Sequence, residues 1–125
     1  MSKYYSIVAP AKLNLNLSVK DKTKNGLHLL ESQVCFLELQ DIITLKTNNE
    51  DVFFQNERTD SFFIDPKENL ILRAIEKFRS LTNWRKKFKI YLDKKIPVGA
   101  GLGGGSANAA ATLILLRKIY NRCSY

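Results

Sequence analysis

Cysteine, histidine, methionine and tryptophan are all scarce in this chain, with two, one, one and one copies in 125 residues, and acidic residues are outnumbered by basic ones, 12 to 20. Cys35 and Cys123 lie far apart with no CxxC and no Cys/His spacing around them. Neither a zinc site nor a disulfide scaffold is therefore expected, and a reducing cytoplasm fits. The opening "MSKYYSIVAP" lacks the apolar core of a secretory signal. The longest apolar stretch, "AAATLILL", falls far short of the ~20 residues that a membrane span needs, so no membrane partner is expected. Internal repeats and low-complexity linkers are absent as well. A composition 45% hydrophobic and 26% charged, at this length, supports one core and one folded unit. The shortage of acid leaves a net charge of +8, which favours anionic partners such as nucleotides, phosphorylated metabolites or nucleic acid.

Glycine is scarce too, except in one place. Five of the six glycines fall within residues 99–105, inside "KKIPVGAGLGGGSANAAA". Around that segment the hydrophobic pattern predicts alternating structure. "LNLNLSV" puts Leu13, Leu15, Leu17 and Val19 on one face of a strand and Asn14, Asn16 and Ser18 on the other, with Lys12 continuing the polar face if Pro10 and Ala11 do not bulge it. Asn25-Gly26 suits a hairpin turn. "SQVCFLEL" and "DIITLKT" read as one bent strand or two paired ones, and "DVFFQNE" as another, most economically in an antiparallel sheet. "NLILRAIEKFRSL" spaces Leu70, Ile71, Ala74, Ile75, Phe78 and Leu81 as a helix with Asn69 as its cap. "KFKIYLD" alternates again, with Phe88, Ile90 and Leu92 inward. "SANAAATLILLRKIYN" then reads as a helix that Ser106 could cap.

A glycine run between a strand and a helix allows positive φ and leaves no Cβ in the way, so successive N–H groups can point at one anion. The unpaired amides and positive dipole end of the following helix add to this, making a phosphate cradle the leading interpretation. The plainer alternative is a tight turn that lets a helix pack closely on a sheet. "GAGLGG" formally matches the dinucleotide fingerprint, but no Asp or Glu lies between Ser106 and Tyr125 to take a ribose. A Walker A loop fails differently: Gly105 occupies the position of its lysine.

"PVGAGLGGGSANAA" resembles the phosphate-binding motif of the GHMP kinases. Together with "PAKLNLNL", "NGLHLLES" and "ENLILRA", in that order and spacing, it is similar more narrowly to the 4-diphosphocytidyl-2-C-methyl-D-erythritol kinase family. The resemblance implies an α+β fold: a ribosomal protein S5 domain 2-like N-terminal region with a left-handed βαβ unit and helices packed on one face of an antiparallel-rich sheet. It implies ATP-dependent phosphorylation of the 2-hydroxyl of 4-diphosphocytidyl-2-C-methyl-D-erythritol, for isoprenoid precursor synthesis by the non-mevalonate route, with Mg²⁺ accompanying ATP. Pro97, Val98, Gly99, Ala100, Gly101, Leu102, Gly103, Gly104, Gly105, Ser106 and Ala107 match the nucleotide-phosphate segment, and the Ser106 hydroxyl can approach phosphate or Mg²⁺. Asn69 matches a position near the ATP base. Lys12 matches the catalytic lysine that orients the substrate hydroxyl and stabilises charge as the phosphoryl group passes to it. Asn14 matches a substrate-contacting asparagine and His28 the cytosine-reading histidine. No side-chain cluster is assigned to a metal.

The departures carry expectations of their own. Leu27 stands where the family has an aromatic before the histidine, which removes a stacking platform for cytosine. The family's general-base aspartate lies in a "GADVP"-like motif downstream of the glycine helix, and the sequence ends at Tyr125 before any such motif. The expectation is that residues 1–125 form a partial N-terminal, ATP-binding domain of that family, lacking the C-terminal domain and turning over at most in traces. Two other readings stay open. "WRKKFKIYLDKK" interleaves Trp84, Phe88 and Tyr91 with basic residues, as a nucleic-acid-binding module does. A ligandless remnant would instead expose the apolar "AATLILL".

Overall fold

The computed structural model describes residues 3–22, 28–56, 69–97 and 104–123, with backbone alone for 13–22 and 28–37. The elements in chain order are β1 (Tyr4–Lys22), β2 (His28–Asn48), β3 (Val52–Gln55), α1 (Leu70–Thr82), β4 (Lys87–Asp93) and α2 (Gly104–Cys123). They build an α+β unit around a four-stranded sheet of order β1-β2-β4-β3. The β1/β2 and β2/β4 pairs are antiparallel, whereas β3 runs parallel to β4. The sheet is antiparallel-rich, as expected, with one parallel pair at its edge. The reason is the chain path: α1 lies between β3 and β4 and returns the chain to the end from which β3 started, as a parallel pair requires.

The alternation in β4 holds along its length, with Phe88, Ile90 and Leu92 buried and Lys89, Tyr91 and Asp93 partly exposed. Next to it, "SQVCFLEL" and "DIITLKT" form one strand, and Asp41, Ile43 and Leu45 of β2 point inward. Strand β1 contributes Ala9 and Ala11 to the same side. Its alternation does not run unbroken, because the ladder shifts register between Pro10 and Lys12, between Asn14 and Asn16 and between Val19 and Lys22. Such irregularities bend a strand and re-aim its side chains.

Both helices cover the inward face. Ile71 and Ile75 of α1 and Ala111, Leu115, Leu116 and Ile119 of α2 join the strand residues in one core cluster. Each large apolar side chain fully removed from water there contributes about 1.5–3 kcal/mol. Rings close one side of the core: Trp84 meets Phe78, Phe88 and Tyr120 edge-on, with centroids 6.0, 5.8 and 5.3 Å apart. Helix α1 stops at Asn83, whose left-handed φ of 57° lets its N–H reach the Arg79 carbonyl at 2.8 Å. Leu81, placed on the apolar stripe by its spacing, is 73% exposed in that last turn. On the opposite face of the sheet Phe54 stacks on Tyr91, with centroids 5.2 Å apart.

Candidate phosphate-binding site

The glycine segment joins β4 to α2. Val98, Gly99, Ala100, Gly101, Leu102 and Gly103, where the amides are expected to converge, lie outside the described residues. The two ends of the segment are described.

At the exit from β4 the backbone is held from both sides. Asn56 accepts from the Lys94 N–H at 2.9 Å and donates to the Lys94 carbonyl at 3.1 Å. From β2, Asp41 Oδ1 accepts the N–H groups of Lys95 at 2.7 Å and Ile96 at 2.9 Å. The other oxygen, Oδ2, accepts from Lys94 Nζ at 2.6 Å. These two charged side chains are 0% and 2% exposed, for Asp41 and Lys94 respectively. A lone charge at such depth is costly, and here each offsets the other while the carboxylate also takes up two backbone donors.

Helix α2 begins at Gly104, ahead of Ser106. Ser106 therefore lies exposed inside the first turn and is not the cap, a correction whose cause is local packing. A Cβ on Gly104 would stand 3.0 Å from Lys94 Nζ and 3.0 Å from Ile96 Cγ2. One on Gly105 would stand 3.2 Å from Leu70 Cδ1. For these two glycines the close-packing alternative holds, since bare backbone lets the helix start against β4 and against α1. Pro97 and Ala107, flanking the segment, are half-buried.

That contact sets the start of α2 beside the start of α1. Two helix N-termini then present their positive dipole ends on one edge, which favours a negatively charged group. Asn69 caps α1 as expected, its Oδ1 accepting from Ile71 N at 3.0 Å and Leu72 N at 3.3 Å. Two of the first-turn amides of α1 are thereby taken. One turn into α2, Asn108 is 2% exposed, and its Oδ1 has no hydrogen-bond partner among the described residues.

Lys12 is exposed on β1, one step past the irregularity at Ala11. The register aligns Ala9 of β1 with Asp41 of β2, and Asp41 in turn holds the β4 exit, so Lys12, paired with Phe36, lies on β1 a few residues past the level at which β4 ends. Asn14 pairs with Val34, and His28 with Lys22 farther along the hairpin. The side chains of Asn14 and His28, and Leu27 altogether, lie outside the described residues. Asp41, Lys94 and Asn56 are residues that sequence reasoning passed over. An acid at the inward position of the Asp41, Ile43, Leu45 alternation was the available signal.

The basic stretch 84–95 divides between environments. Phe88 is in the core, Trp84 in the ring cluster, Lys94 in the buried ion pair and Tyr91 on the outer sheet face. Among the described residues, no three His, Cys, Asp or Glu side chains cluster to hold a metal, and no helix is long and apolar enough to cross a membrane.

Residues 69–124 match the family model of the GHMP kinases N terminal domain. The chain is 39% identical over 113 residues to 4-diphosphocytidyl-2-C-methyl-D-erythritol kinase of Enterococcus faecalis, covering 90% of this chain and 40% of that protein. The crystal structure of a 4-(cytidine 5'-diphospho)-2C-methyl-D-erythritol kinase superposes with a TM-score of 0.70 at 32% identity, over 92% of this chain and 40% of that one. Mevalonate kinase from Methanococcus jannaschii shares the fold with a TM-score of 0.65 at 19% identity, over 95% of this chain and 41% of that one. The chain thus spans about 40% of the length of the curated relatives it matches.

Proposed function

We propose that this chain, whose fold is that of the GHMP kinase N-terminal domain, is the ATP-binding part of a kinase that phosphorylates the 2-hydroxyl of 4-diphosphocytidyl-2-C-methyl-D-erythritol. The observation that carries this reading is the glycine-started helix α2 abutting the start of α1, with the glycine segment entering it from a firmly held strand exit. The similarity to kinases of that substrate supplies the reaction and the acceptor.

In this reading the backbone N–H groups of residues 98–107, which follow Pro97, and the N-terminus of α2 take the nucleotide phosphates, and the buried Asn108 amide lies one turn behind them. Gly104 and Gly105 serve this reading as packing positions, letting α2 start close against Lys94, Ile96 and Leu70. Mg²⁺ would arrive on the phosphates and neutralise charge on the group being transferred. Ser106, exposed in the first turn, would meet a phosphate oxygen in this reading. Lys12 orients the acceptor hydroxyl and offsets developing charge, while Asn14 and His28 contact the substrate and its cytosine. The Asn69 carboxamide, committed to capping α1, serves the base end by fixing the helix start.

Because the chain spans part of its relatives, binding is the primary measurement. Titration of the 125-residue chain with MgATP is expected to give saturable binding that protects the glycine segment from proteolysis. Lys12→Met is expected to leave that affinity in place while any transfer to 4-diphosphocytidyl-2-C-methyl-D-erythritol falls by about 10²-fold. Absence of ATP binding, combined with salt-sensitive binding of oligonucleotides, would replace this reading with the nucleic-acid module.

A further inference from the structure

We propose that Asp41 is a positioning residue for the nucleotide-phosphate segment, acting with Asn56 as a two-sided clamp on the backbone of Lys94, Lys95 and Ile96. The inference rests on the ATP-binding reading above and adds residues outside the glycine motif.

Asp41 is placed by β2, where the register sets it opposite Ala9, and its side chain reaches across to the end of β4. Its two oxygens act separately, Oδ1 taking two consecutive amides and Oδ2 the Lys94 ammonium. Two consecutive N–H groups bonded to one oxygen fix the direction in which the chain leaves the strand. The ammonium then carries the constraint onward, because Lys94 Nζ and Ile96 Cγ2 form the floor beneath Gly104. Asn56 holds the preceding peptide units through the N–H and carbonyl of Lys94. Glycine restricts φ and ψ least of all residues, so fixed anchors matter most beside a glycine-rich sequence. Anion binding through converging amides depends on sub-ångström placement, and a misplacement of about 1 Å can cost as much as 10²-fold.

A buried ion pair is commonly replaceable by apolar groups without loss of stability, which separates folding from positioning. Asp41→Leu/Lys94→Met removes both charges and the amide acceptor. Asp41→Asn/Lys94→Met removes the charges and keeps a carbonyl oxygen for the amides of Lys95 and Ile96. MgATP affinity and amide hydrogen exchange are measured on both variants, on the wild type and on Asn56→Ala, whose side chain lies near the surface. The leucine variant is expected to bind MgATP about tenfold more weakly than the wild type and to lose exchange protection at Lys95 and Ile96. The asparagine variant is expected to recover most of both, and Asn56→Ala to weaken binding several-fold with little change in melting temperature. Equal affinity of the leucine and asparagine variants would overturn the proposal. Should the leucine variant fail to fold, unchanged MgATP affinity in Asn56→Ala would overturn it instead. A wild-type chain that does not bind MgATP would overturn the ATP-binding reading and this inference together, whereas wild-type binding with insensitive variants would overturn this inference alone.

Discussion

The two ends of β4 are each held by an aspartate that accepts backbone amides and pairs with a cation, yet the two arrangements differ in depth. At the start of the strand, Asp51 Oδ1 accepts the Phe88 N–H at 2.9 Å and an Arg79 donor at 2.8 Å, while Arg79 Nε reaches the Lys86 carbonyl at 3.0 Å. At its end, Asp41 accepts from Lys95, Ile96 and the Lys94 ammonium. The Asp51 and Arg79 side chains are 32% and 19% exposed, whereas Asp41 and Lys94 are 0% and 2% exposed. Solvent shares the work at the first end and is excluded from the second. The outer clamp fastens α1 to the sheet, and the inner one fixes the direction of the glycine segment.

Breaking the inner clamp on one side only should therefore have the largest effect. Asp41→Ala leaves the Lys94 ammonium buried without its partner and strips the acceptor from two amides, and a loss of about 3–5 kcal/mol in unfolding free energy is expected. Urea denaturation measures it, and a loss no larger than that of Asp51→Ala would erase the difference between the two ends. Gly104→Ala tests the same floor from above. The new methyl group would meet Lys94 Nζ and Ile96 Cγ2 at 3.0 Å, and overpacking of this kind costs about 1–3 kcal/mol. Gly105→Ala meets the tip of Leu70 at 3.2 Å, and that side chain is 36% exposed and free to give way. There the better helix propensity of alanine, about 1 kcal/mol, is expected to offset the contact and leave stability near the wild type. A Gly104→Ala variant as stable as Gly105→Ala would show that the ion pair is not a rigid floor.

What the sequence revealed follows the same division. The period-two pattern of Lys87–Asp93 and the capped helix from Asn69 rest on local rules, and both lie where those rules put them. The parallel pairing of β3, the continuity of β2 through Asp41 and the start of α2 at Gly104 depend on partners distant in the chain, which periodicity does not encode. Lys94 shows this most clearly. Within "LDKKIP" it reads as one of several solvated bases, and only the folded register brings it to Asp41, 53 residues away in sequence. The supports at the base of the glycine segment, Asp41, Asn56 and Lys94, were not legible, because each acts through a partner distant in the chain.

Loss of the α1 cap should have an effect of intermediate size. Asn69→Ala frees the Ile71 and Leu72 amides and removes a side chain that is 3% exposed, with an expected cost of about 1 kcal/mol. Since α1 abuts α2 through Leu70 and Gly105, the same variant is expected to weaken MgATP binding modestly. Asn69→Asp, which keeps the acceptor, should restore stability. A failure of aspartate to do so would mean that the amide nitrogen of Asn69, rather than its capping oxygen, is what the fold uses.

The outer clamp supplies the smallest and most condition-dependent effect. Burial alone would raise the Asp51 carboxyl, but the bonds from Arg79 and the Phe88 N–H, with the charges of Arg79 and Lys87, outweigh it and hold the carboxyl below its usual range. A carboxylate whose pKa is lower in the folded chain than in the unfolded one contributes stability above its unfolded value of about 4, and that contribution is lost as pH falls through the depressed folded value. Solvent screening at this partly exposed pair keeps the contribution at or below about 1 kcal/mol. Asp51→Asn retains an acceptor for Phe88 and removes the charge, so the gap between wild type and variant isolates the ionic part. That gap should be open near neutral pH, narrow below about pH 4 and shrink in high salt, as followed by urea midpoints. A gap independent of both pH and salt would place Asp51 with Asp41 as a packing and hydrogen-bonding element, and the contrast between the two ends of β4 would then lie in backbone geometry alone.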